Sequence, residues 1–188
     1  MPARTMFGAF RSDPIEKAAT LAYGRVVEQA RQPAFFLGGG VPDTVDGRFE
    51  LICLHAFLYL HRLKREWPRA RALAQRFFDT MFADFDRSLR EMGTGDLSVG
   101  REVKRMASAF YGRIAAYEHG LEIDPASLEA ALGRNLYGTC EASPAALAAM
   151  ATYLRRERAA LERQAAARLL AGEVSFGPPP AADGRSAA

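Results

Sequence analysis

Apolar side chains recur along the chain every three or four positions, and this period predicts helices near 14–31, 45–65, 69–92, 99–120, 125–137 and 144–171. Pro14, Pro125 and Pro144 stand where a first helical turn tolerates a missing N–H, and Asp13, Asp124 and Ser143 precede them as N-caps. No alternating strand pattern competes. In the segment 45–65, Phe49, Leu51, Ile52, Leu54, Phe57, Leu58, Tyr59, Leu60 and Leu63 cover most of the helical circumference, which makes it the predicted central and most buried helix.

The next helix places Phe78, Phe82, Phe85, Leu89 and Met92 in one stripe toward the core, with Asp84, Arg87 and Glu91 on the other side. Its follower repeats the device with Val99, Val103, Met106, Phe110, Ile114, Tyr117 and Leu121, while Arg101, Lys104 and Arg105 point away. Two antiparallel amphipathic helices follow, joined through LREMGTGDLSVG at 89–100. Gly93 suits a left-handed C-cap there, Gly95 permits a turn, and Asp96 or Ser98 can cap the next helix. Residues 79–96 hold five acids and two bases, and 101–113 four bases and one acid, so the hairpin sets an acidic end beside a basic helix.

A chain of 188 residues at 49% hydrophobic content can bury a real core in one domain. The fold class predicted is all-α: a single-domain bundle of about six helices over 14–171, after a flexible segment 1–13 and before a disordered tail 172–188 rich in Gly, Pro and Ala. A net charge of +3 is too small for a protein that coats nucleic acid. The longest apolar run, LICLHAFLYL, is about half a membrane span, and MPARTMFGAFR lacks the apolar stretch of a secretory signal. Cys53 and Cys140 make no disulfide framework and point to a reducing compartment.

Little in the chain supports catalysis. His55 and His61 diverge on their helix, as do Asp84 and Asp86, and AYEHG puts Glu118 beside His119 rather than at ligand spacing. Gly38, Gly39 and Gly40 lack the downstream residues of a phosphate loop and suit a flexible joint, while Cys53 suits a small buried hydrophobe. We therefore expect no enzyme, no metal and no cofactor. The last helix offers Arg155, Arg156, Arg158, Arg163 and Arg168 to phosphate, and Leu147, Met150, Leu154 and Leu161 on one side to a membrane surface.

MFADFDRSLREMGTGDLSVGREVKRMASAFYGR at 81–113 resembles the signature region of the ubiquinol-cytochrome c chaperone family. YGRVVEQARQPAFF at 23–36 and GVPDTVDGRFELICLH at 40–55 resemble its bacterial members, with the glycine-rich FFLGGG at 35–40 as a departure. The likeness covers roughly residues 20–160. It implies a non-enzymatic assembly chaperone for the cytochrome bc complex that shields newly made cytochrome b, in the cytoplasm and peripheral to the inner membrane. The implied partner is cytochrome b or another subunit of the complex; the resemblance does not imply a ribosome contact, which stays a candidate beside peripheral membrane contact. The alternative is a ribosome- or nucleic-acid-surface module using the basic helix faces.

The motif carries over onto Asp84, Asp86, Arg90, Glu91 and Asp96, with Gly93 and Gly95 in the turn, and onto Lys104, Phe110, Tyr111, Gly112 and Arg113. From the residues themselves, Phe77 sits about 100° off its core stripe, Tyr111 and Lys104 lie on a flank of the next helix, and Gly112 admits a close backbone. Partner binding is accordingly expected at Phe77, Asp84, Asp86, Arg90, Glu91, Asp96, Arg101, Lys104, Arg105, Tyr111, Gly112 and Arg113, along a groove between the two helices.

Overall fold

A computed structural model describes residues 13–180, all of whose regular elements are helical. Six long helices carry the architecture: α1 (Pro14–Ala30), α3 (Val45–Leu63), α4 (Arg71–Glu91), α5 (Asp96–Glu122), α6 (Pro125–Asn135) and α7 (Pro144–Arg163). Two short ones, α2 (Ala34–Leu37) and α8 (Ala166–Leu170), close corners. Asp13, Asp124 and Ser143 cap α1, α6 and α7, each side chain accepting a backbone N–H of the first turn.

The central helix is α3, which touches α1, α4, α5 and α7 and buries Leu51 through Tyr59 without interruption. α4 packs on α1, and α5 on α6. Gly120 of α5 makes the latter contact close, because a Cβ there would lie 2.7 Å from the Leu128 Cα. Cys53 is buried and Cys140 exposed, both free, and burial pushes the Cys53 thiol up, away from the reactive thiolate.

The hairpin turn forms as its glycine pattern indicates. Gly93 has φ +89°, its N–H bonds Arg90 O at 3.0 Å, and Thr94 N–H bonds Leu89 O at 3.0 Å, which closes α4 in a Schellman arrangement. Neither expected cap of α5 acts as one. Gly95 takes the N-cap with its backbone, Asp96 is the first helical residue, and the Ser98 hydroxyl donates to Gly95 O.

The helix expected over 144–171 breaks at Gln164. Arg62 of α3 donates to Leu161 O at 3.1 Å and to Gln164 O at 3.5 Å, so a buried side chain satisfies the carbonyls a helical continuation would have used. The turn brings Leu169 into the core, where Tyr59 donates to its carbonyl at 2.9 Å.

Two segments read as loose from composition are held instead. Gly39 is buried and its carbonyl accepts the Tyr137 hydroxyl at 2.6 Å, so the triple glycine is a pinned corner rather than a flexible joint. Residues 172–180 lie against the bundle with Val174 buried, and a Cβ on Gly172 would lie 2.1 Å from Ala18 O. Composition pointed to disorder because large apolar groups are few there, yet Val174 and Phe176 suffice once side chains bind the backbone. Residues 1–12 and 181–188, which make up nearly all of the expected N-terminal segment and the rest of the tail, fall outside the described part.

Candidate functional site

A groove of about 710 Å³ opens between the start of α3, the second half of α4, the middle of α5 and the end of α6. Its apolar lining comes from Phe49 and Ile52 on α3, Phe85, Leu89 and Met92 at the end of α4, Met106 on α5, and Leu136. These positions share one face of each helix, and the α4–α5 turn lets both helices contribute. Charged groups ring this lining: Arg31, Arg48, Glu91, Glu102, Arg105 and Arg134. An apolar trough with a polar rim suits a segment that water rejects while discouraging indiscriminate contact.

One ion pair forms part of the groove wall. Arg113 of α5 reaches Glu50 of α3 with Nε at 2.6 Å from Oε2 and Nη2 on the other oxygen, and its guanidinium lies 5.6 Å from the Phe49 ring centre. Both side chains are largely buried. Burial pushes the Glu50 carboxyl up, and the bond and charge of Arg113 oppose it only in part. Removing either partner would strand a charge in the wall.

Apart from Phe77, the residues anticipated for partner binding divide into three groups. Asp84, Glu91, Arg105 and Arg113 line the groove. Asp84 does so as a brace: it accepts the Tyr23 hydroxyl at 2.7 Å and bonds Arg87, so it faces α1 rather than open solvent. Asp86, Arg90 and Asp96 gather at the turn, where Arg90 bonds Asp86 at 2.7 Å and also reaches Asp96.

Arg101, Lys104, Tyr111 and Gly112 are exposed on a neighbouring face of α5, away from the groove lining. Tyr111, 60% exposed, stacks on Phe78 at 5.7 Å. A Cβ on Gly112 would meet nothing within 4 Å, so no element of this chain uses the close approach it permits.

Phe77 is a correction. It is fully buried, 5.0 Å from the Tyr59 ring and 6.0 Å from that of Tyr23, and edges no groove. α4 packs against α1 as well as α5, which rotates its buried row to Leu73, Phe77, Met81 and Phe85 and leaves half-buried Phe78 at the flank. Leu89 and Met92, expected in the core, instead line the groove.

The sequence reading missed the α3 wall and the two helix ends that bring Arg31 and Arg134. A usable signal existed: Glu50 begins a long apolar run, and an acid there requires a paired cation.

The basic last helix does not present a free phosphate-binding stripe. Arg156 pairs with Glu157, Arg158 with Glu122 and Glu162, Arg168 with Glu173, and Arg155 donates to Pro125 O, which leaves Arg163 alone of the five exposed without such a contact among the described residues. Met150, Leu154 and Leu161 are buried, so they are not available to a membrane surface. Among the described residues no helix is long and apolar enough to cross a membrane.

The family model described as ubiquinol-cytochrome C chaperone matches residues 38–176, which include α3 to α8 and every groove-lining residue except Arg31. The chain belongs to the ubiquinol-cytochrome C chaperone family. This family member is 28% identical over 165 residues to ubiquinol-cytochrome-c reductase complex assembly factor 1 of Xenopus laevis, covering 87% of this chain and 82% of that one.

It is 29% identical to the Homo sapiens assembly factor 1 over 87% of this chain, and 28% to that of Mus musculus over the same share. It spans just over half of those two proteins, 55% and 56%. A crystal structure of the Cbp3 homolog from Brucella abortus superposes with TM-score 0.78 at 40% identity, over 88% of this chain and 91% of the other.

Proposed function

We propose that this chain is an assembly chaperone for the ubiquinol-cytochrome c reductase complex, and that its groove shields an apolar segment of newly made cytochrome b before incorporation, without covalent chemistry. The supporting observation is the groove itself: an apolar trough walled by four helices and ringed by charge, on a member of this family. Met92 and Met106 in the lining give it the adaptability that a transient client requires, because an unbranched thioether repacks at low cost.

The buried aromatics and aliphatics supply affinity in this reading, and the rim supplies orientation. Arg101, Lys104 and Tyr111 extend the contact along the outer face of α5. The work is done at the cytoplasmic side of the inner membrane, where the client emerges.

Site-specific crosslinking tests the reading. A photoreactive residue at Met92 in the full chain should capture cytochrome b in cells, whereas one at Ile123, exposed but outside the groove, should not. Equal capture from both positions, or capture of other proteins only from Met92, would rule out the groove as the client site.

A further inference from the structure

Residues 172–180 form a strap whose main chain is gripped by side chains. The Gln164 amide meets Ser175 twice, donating to its carbonyl at 2.6 Å and accepting its N–H at 3.1 Å. Two residues on, Gly177 N–H donates to Glu157 at 2.7 Å, and Gly177 O accepts Gln29 at 2.8 Å. Arg156 then donates to Pro178 O. The alternate side chains point inward: Val174 is buried, and Phe176 meets the His55 ring edge-on at 5.2 Å.

Main-chain bonds at 175 and 177 alternating with side-chain sockets at 174 and 176 are how a surface reads an extended peptide, usually from a strand edge. The regular elements here are all helical, and side chains of α1 and α7 with Gln164 take that edge's place. The site also selects. A Cβ at position 177 would lie 2.8 Å from Glu157 Oε1, so a larger residue there must displace the carboxylate that binds the strap. Glu157 is fully buried, and apart from neighbouring Arg156 its partner is the Gly177 N–H.

The strap is not sealed in. A cavity of about 590 Å³ lies between Leu21, Arg25 and Gln29 on α1 and Glu173 and Ser175.

We propose that this channel is an extended-peptide site, occupied in cis by residues 174–178 and open, when the strap lifts, to a partner segment of the same pattern: apolar, spacer, aromatic, glycine, proline. Such a segment would dock at the α1–α7 side, apart from the groove that receives the client.

Two measurements test it, neither involving cytochrome b. In the full chain, the Ser175 and Gly177 amides should exchange with deuterium roughly a hundredfold faster than that of Phe57 in α3, because the strap opens without the bundle. Equal rates would overturn the proposal.

In a full-length Gly177→Val variant that keeps its helical circular dichroism, a fluorescent peptide of residues 172–188 should bind one to one, at least about tenfold tighter than to the unaltered chain. Adding Gln164→Ala should remove that gain. Failure of the peptide to bind the folded variant, or binding indifferent to Gln164→Ala, would overturn the proposal, and exchange alone decides if Gly177→Val does not fold.

Discussion

At the scale of single residues, burial moves the titration of His55. Its Nδ1 lies 2.7 Å from Leu51 O and therefore carries the proton, while Nε2 accepts the Tyr153 hydroxyl at 2.7 Å. Complete burial lowers its pKa to about 4, against about 6.5 in an unfolded chain. Between those values the unfolded chain binds a proton that the folded chain refuses. Stability is thus complete above pH 6.5 and drains away as pH falls toward 4, by about 3 kcal/mol at most. Urea midpoints at pH 7 and pH 4.5 should show this loss, and His55→Gln should flatten it. An unchanged pH slope in that variant would remove His55 as the cause.

The same residue was legible in the sequence only as a non-ligand. Its distance from His61 excluded a shared metal, but its bond to Tyr153, 98 positions away, has no local trace. Phe77 failed for a related reason. Periodicity finds a stripe, yet when a helix packs on two sides the stripe widens, and which flank is covered depends on partners that sequence spacing does not name.

At the scale of elements, the caps and starts of α1, α6 and α7 were readable because each depends on two or three adjacent residues, whereas those of α5 were not. Asp13 before Pro14, Asp124 before Pro125 and Ser143 before Pro144 all act as their chemistry requires. The break at Gln164 was not readable, since Arg62 imposes it from another helix.

Gly120 belongs to this scale too, as the point where α5 and α6 come closest. Gly120→Ala presses a methyl onto the Leu128 backbone, which cannot swing aside as a side chain could. We expect a loss of about 1–3 kcal/mol despite the better helix propensity of alanine, read as a lowered thermal midpoint. A stability equal to or above the parent would mean that the two helices separate freely.

At the scale of the whole molecule, about six helices around a greasy central one were foreseeable from period and composition, and the groove was foreseeable in part. Its α4 and α5 walls carry Glu91, Arg105 and Arg113 as anticipated, whereas Arg31, Arg48 and Arg134 arrive from helix ends whose meeting only the tertiary arrangement decides.

The family match begins at residue 38, but α1 lies before it and is deeply engaged. Ala19, Ala22 and Val26 are fully buried, Tyr23 braces Asp84, and Gln29 holds the strap. Losing several such burials, each worth about 1–3 kcal/mol, consumes most of a typical stability of about 5–15 kcal/mol. A fragment of residues 38–176 should therefore melt without a cooperative transition and bind a hydrophobic dye, unlike one of residues 13–180. A sharp transition in the shorter fragment would count against this.

The family model thus marks out a smaller territory than cooperativity does. An expression plasmid cut at residue 38 would omit the helix that packs on α4, and the resulting insoluble product would say nothing about the groove.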